Sequence, residues 1–77
     1  MTKDDAAKVF AVKYILDYNT FIRNERMRED LMTIRRLFFD DDEFLELWEK
    51  YNDDLRQSGE IPRWARLIMA ERYSINI

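Results

Sequence analysis

Asp42, Glu46, Glu49 and Asp53 stand 4, 3 and 4 residues apart, a spacing that stacks four carboxylates in one ridge roughly 16 Å long on a helix. Phe44, Leu47, Trp48, Tyr51 and Leu55 fall on the opposite side. Unpaired like charges at i, i+4 cost a few tenths of a kcal/mol each. The ridge is therefore either the wet face of an amphipathic helix or a surface for docking on a basic partner. Were that basic surface one that holds a phosphate backbone, the ridge would act as a partial nucleic-acid mimic. Thirteen basic residues elsewhere weigh against mimicry by the whole molecule.

Asp40-Asp41-Asp42-Glu43 invites a calcium reading. Such a loop needs oxygen ligands at positions 1, 3 and 5, glycine at 6 and glutamate at 12. Counted from Asp40, positions 5, 6 and 12 hold Phe44, Leu45 and Tyr51. The register fails, and these acids are expected to cap a helix instead. With no histidine and no cysteine, the two commonest groups for acid–base and nucleophilic chemistry at neutral pH are missing. A single glycine leaves no phosphate-cradling loop. The expectation is a protein that is not an enzyme and uses no metal or cofactor.

The arginines at 23, 26, 28, 35 and 36 are interleaved with Glu25, Glu29 and Asp30, which favours an ion-paired solvent face over a nucleic-acid interface. Arg63, Arg66 and Arg72, set among Trp64 and Tyr73, are a weaker version of that pattern. The net charge of −3 also points away from nucleic acid. It is unevenly placed: residues 1–39 carry eight Lys/Arg against six Asp/Glu, and residues 40–77 carry five against ten.

These side chains need elements to hold them, and the composition supplies helices. One glycine and one proline are too few for the turns of an all-β chain. Thr2 before Asp4 and Asp5 is a helix start. The stripe Ala7, Phe10, Ala11, Tyr14, Ile15, Tyr18, Phe21, Ile22 predicts a first helix over about 3–22. Val9, Val12 and Leu16 form a second stripe on its far side, which means either a helix sandwiched between neighbours or an interface for a partner or a second copy. Met27, Leu31, Ile34 and Phe38 restart the pattern out of phase, so a break near Arg23-Asn24 is expected, with a second helix over about 25–39. Asp40 with Glu43 has capping-box spacing for a third helix, which Gly59 stops. Pro62 opens a fourth segment, whose buried face is either Trp64/Leu67/Ile68/Ile75 or Ala65/Met69/Tyr73.

The fold expected is an all-α, compact bundle of three to four short helices, one domain over residues 1–77, with Phe10, Tyr14, Phe21, Leu31, Ile34, Phe38, Leu47, Trp48, Tyr51 and Trp64 in its core. No apolar run approaches a membrane span and the N-terminus lacks the pattern of a signal peptide, so a cytoplasmic protein is expected. In size and acidity alone it resembles phage-encoded inhibitors of host enzymes, with no motif behind the likeness. The functional expectation is a non-catalytic module that regulates or inhibits a larger protein assembly. Its contact would be the Asp42/Glu46/Glu49/Asp53 ridge on a basic surface, with Val9/Val12/Leu16 as the alternative interface. A structural homo-oligomer and a small helical nucleic-acid binder are the other readings.

Overall fold

The computed structural model describes residues 1–77 and is all-α. Five α-helices follow in order: α1 (Lys3–Val12), α2 (Tyr18–Arg23), α3 (Glu25–Phe38), α4 (Asp42–Gln57) and α5 (Arg63–Tyr73). Helices α3, α4 and α5 fall where the second, third and fourth were expected, and α1 and α2 stand in place of the single first helix expected over about 3–22. No helix is long and apolar enough to cross a membrane.

Helix α1 begins where Thr2 Oγ1 accepts the Asp5 amide at 3.1 Å. Ala6, Ala7, Val9, Phe10, Ala11 and Val12 are all buried, so this helix is packed against α3, α4 and α5 at once, with Lys8 left partly exposed. Its small residues allow neighbouring elements to approach from several directions at once. Val9 and Val12 are fully buried and Leu16 is half-buried against the same core. The Val9/Val12/Leu16 stripe is therefore interior packing and offers no free interface, in line with a helix held between neighbours.

The single helix expected over 3–22 is broken. A 3-10 turn occupies Lys13–Ile15, and Leu16 turns extended at φ −91°, ψ 143°. Asp17 then restarts the chain as a cap, accepting the Thr20 amide at 2.8 Å and the Thr20 hydroxyl at 3.1 Å. A carboxylate that can satisfy local backbone donors competes with a continuous helix. Here that competition wins, and the helix stops at Val12. Tyr14, expected in the core, is consequently exposed.

Asn24 ends α2 and caps α3 at the expected break, its Oδ1 accepting the Met27 amide at 2.9 Å. Met27, Leu31 and Ile34 face inward from α3. The cap of α4 is Asp41 rather than Asp40, accepting the Phe44 amide at 3.1 Å. Lys3 bridges Asp41 at 2.9 Å and Glu43 at 3.1 Å, fastening the start of α1 to the start of α4. Gly59 plays no left-handed role; α4 ends through an extended Ser58, at φ −80°, ψ 128°. The left-handed residue is Ser74, at φ 55°, closing α5.

Phe10 is the centre of the aromatic core. Trp48, Phe39 and Phe44 meet it edge-on, with ring centroids at 4.9, 5.4 and 6.1 Å, an arrangement that adds about 0.5–1.5 kcal/mol per pair beyond simple burial. Phe44, Ile34, Met27 and Met69 are fully buried around it. Phe21, Phe38, Leu47, Trp48, Tyr51 and Trp64 pack on this cluster only partly buried. On α5 the inward face is Ala65, Met69 and Tyr73, and Leu67 is left in solvent. That choice brings Arg72 toward the seam with α3, where Asp30 receives it at 2.8 Å.

Candidate interaction surfaces

Among the acidic ridge residues, Asp42, Glu46 and Glu49 are exposed and make no ion pair. Asp53 departs from them, since Arg56 bridges it at 3.1 Å. The apolar side of α4 faces the core, with Phe44 fully buried and Leu47, Trp48, Tyr51 and Leu55 partly so. The ridge is thus a solvent face of three free carboxylates and one neutralised. The neighbouring acids are occupied elsewhere, Asp41 as a cap and Glu43 on Lys3. No three acidic side chains converge as a metal cage would require.

A second surface lies at α2 and is concave. The cap at Asp17 and the break at Asn24 bracket a helix of six residues. Phe21 turns half inward, while Tyr18 and Ile22 stay in solvent. Between α2, α3 and the end of α1 this leaves a groove of about 390 Å³. Phe10, Phe21 and Leu31 line it together with Tyr18, Ile22 and Met32. A neighbouring hollow of about 350 Å³ shares Tyr18 and Phe21 and adds Tyr14 and Leu16. Tyr14 is 64% exposed, Tyr18 71% and Met32 74%, so large apolar and aromatic groups stand in water side by side.

Three cations also line the groove: Lys13, Arg28 and Arg35. None is in an ion pair; the paired cations of the molecule are Lys3, Lys8, Arg56 and Arg72. The Lys13 ammonium lies over the Phe10 ring at 3.8 Å and near the Tyr14 ring at 4.9 Å. Arg35 lies 5.9 Å from the Phe39 ring. Burial pushes the Lys13 ammonium below its ordinary pKa, and the repulsion of Arg35 adds to that. The rim is positive and clustered, with Lys13 the one of the three that is partly buried.

A third hollow, of about 510 Å³, opens between the 3-10 turn and α4 and is lined by Tyr14, Ile15, Trp48, Asn52, Leu55 and Arg56. The indole nitrogen of Trp48 is buried without a hydrogen-bond acceptor. Two polar clusters complete the inventory. Tyr51 donates to Asp4, which Lys8 bridges at 3.0 Å. The Tyr51 hydrogen bond, with Lys8 helping, holds the Asp4 carboxyl below its usual range. Asp30 Oδ2 accepts from both Arg72 Nε and the Tyr73 hydroxyl, each at 2.8 Å. Burial, then the adjacent Asp30 carboxylate, drives the Tyr73 hydroxyl well above the ordinary phenol range. In each cluster the carboxylate is bound up in holding two elements together.

The α2 surface escapes a sequence reading because Tyr14, Tyr18 and Ile22 fit the core stripe of an unbroken helix. The signal that would have found it is Asp17 with Thr20 three residues on, a cap spacing set inside an apolar run. Once the chain is broken there, the second half of the stripe loses its helical phase with the first. No known protein-family model matches the chain, and comparison with curated proteins and with solved structures likewise gave no match.

Proposed function

We propose that the protein is a non-catalytic binding module, a small cytoplasmic regulator or inhibitor of a larger protein assembly, that docks through the surface built around α2. The observation that carries this is the exposure of Tyr18 and Met32, both mostly in solvent beside a concave apolar floor, with Tyr14 next to Tyr18 in the adjoining hollow. Leaving large aromatic groups in water forgoes burial worth about 1.5–3 kcal/mol for each side chain. Aromatic residues and methionine are enriched at interface cores, where burial against a partner recovers that loss. The side chains on hand suit association better than reaction, since Asp4, Asp30 and Asp41, the carboxylates set between elements, are each occupied in a cap or a bridge.

The test is a double substitution, Tyr18→Ser with Met32→Ser. Both residues are exposed, so the variant should fold, with changes of up to about 0.5 kcal/mol each. Affinity capture from the native cell should return a protein with the wild type that the variant fails to retain. Equal recovery would remove α2 as the docking surface.

A second reading keeps the acidic ridge as the contact, favoured by the three free carboxylates of Asp42, Glu46 and Glu49 on one exposed face. Replacing these three and Asp53 with lysine should leave circular dichroism unchanged while abolishing capture of a basic partner. A lysine variant that captures as well as the wild type makes the ridge a solvated face only.

A further inference from the structure

We infer that the groove beside α2 takes an amphipathic helix of a partner protein, one whose apolar ridge is flanked by acidic residues. The inference rests on the protein-binding reading and adds the chemistry of the partner. Its first support is shape: the floor of Phe10, Phe21 and Leu31 sits below the flanking Tyr18 and Met32. Helix-in-groove recognition places apolar anchors at i, i+3 or i+4 and i+7 into such a hollow.

Charge is the second support, and it selects the partner. Lys13, Arg28 and Arg35 surround the apolar floor, and no carboxylate of this chain reaches any of them. What sets these three apart is their placement together around one apolar floor, where the Lys13 ammonium already lies over the Phe10 ring at 3.8 Å. Clustered cations beside an apolar surface lower the local potential cost of bringing in acids and raise that of bringing in bases. Lys13 is the sharpest instance, since it is already partly dehydrated and repelled by Arg35.

Other occupants fit less well. A second copy would have to supply acids and apolar anchors from one helix face. The acids of α4 lie opposite its apolar stripe, and that stripe is in the core. A flat bilayer cannot fill a concave floor, and a phosphate backbone would satisfy the cations while leaving Phe21 and Leu31 uncovered.

The experiment uses the full chain and a fluorescein-labelled synthetic peptide of about 16 residues, long enough for a stable helix once bound. One peptide carries leucine at i, i+3 and i+7 with flanking glutamates; its counterpart carries lysines instead. In anisotropy titrations the glutamate peptide should bind at least about tenfold more tightly, a preference that shrinks as salt rises from about 50 to 300 mM. Arg28→Glu with Arg35→Glu should invert the preference, and Tyr18→Ser with Met32→Ser should weaken both peptides. Equal affinity for the two peptides, or a preference for lysine, overturns the inference. So does binding confined to anionic phosphatidylserine vesicles, or sedimentation showing the groove filled by a second copy. If the peptides fail while Tyr18→Ser with Met32→Ser still loses the natural partner, the acidic helix alone is wrong. If that variant also captures normally, the protein-binding role of α2 falls with it.

Discussion

Residues 3–12 and residues 13–23 carry the same kind of apolar pattern and meet opposite fates. In α1 every position from Ala6 to Val12 except Lys8 is buried. In the following segment Tyr14, Ile15, Tyr18 and Ile22 are all exposed, and no residue of α2 is fully buried. The pattern is alike, but the company differs: α1 is enclosed by three helices, whereas α2 packs chiefly on α3. Periodicity thus says which residues of a helix share a face, and only the number of neighbours decides whether that face is covered. An uncovered stripe is either a loss of stability or a surface kept for something else.

The contrast breaks most visibly through the closed half. Phe44 is fully buried between Phe10, Phe38 and Trp48, so Phe44→Ala should cost about 3–5 kcal/mol in urea unfolding. A loss below about 1 kcal/mol would mean the core is loosely packed and the two halves are not distinct. At the seam between α3 and α5, Asp30→Ala strands the Arg72 guanidinium and the Tyr73 hydroxyl. The expected cost is about 1.5–3 kcal/mol, read from the same unfolding curves, because charged hydrogen bonds are lost together.

Acid titration sharpens the picture at the α1–α4 contact. Tyr51, and next Lys8, depress the Asp4 carboxyl in the folded state. A depressed acid contributes stability fully above its unfolded pKa of about 3.9, and that contribution is lost as pH falls through the lower folded value. Melting temperature should therefore drop below about pH 4, and Tyr51→Phe should make that drop shallower while lowering the plateau near neutrality. Parallel slopes for the two proteins would show that the pair does not respond to pH as argued.

Smaller effects probe the boundary and the open half. Trp48→Phe removes an indole N–H that has no acceptor and keeps an aromatic ring beside Phe10, so its cost should stay under about 1.5 kcal/mol. A loss of 3 kcal/mol or more would show that the larger ring matters more than the orphan donor. Smallest of all, Tyr18→Ser should shift stability by no more than about 0.5 kcal/mol. If thermal melting places it beside Phe44→Ala, α2 belongs to the closed core after all.

Much of the fold could be read from the chain because its strongest signals are local. Thr2, Asn24 and Pro62 mark helix starts where a side chain or a fixed φ does the work within one turn. Phe10, Leu31 and Ile34 belong to stripes whose helices find neighbours, so they are buried as their spacing implies. What could not be read depends on tertiary company. Tyr14 has the spacing of a core residue and lacks a neighbour to cover it. The inward face of α5 was undecided because its answer lies in Asp30, 42 residues from Arg72. The acidic ridge was legible as a face, but the pairing of Asp53 depends on the rotamer of Arg56. The α2 groove was hidden by the unbroken apolar stripe, since it forms only once the chain breaks at Asp17 and α2 folds back beside α3.

Asn24 uses both ends of its amide, accepting from the Met27 backbone and donating to the Tyr73 carbonyl at 3.1 Å. The donor half of that bond waits for a residue 49 positions later in the chain. During synthesis α3 can therefore begin as a capped but unanchored turn, with Asp30 still lacking Arg72 and Tyr73. Met27 and Ile34 then lack part of the covering that α5 supplies through Met69 and Tyr73. Domains usually settle as whole units once their parts are available. The start of α3 and the end of α5 therefore settle together, when residue 73 closes the loop back to residue 24.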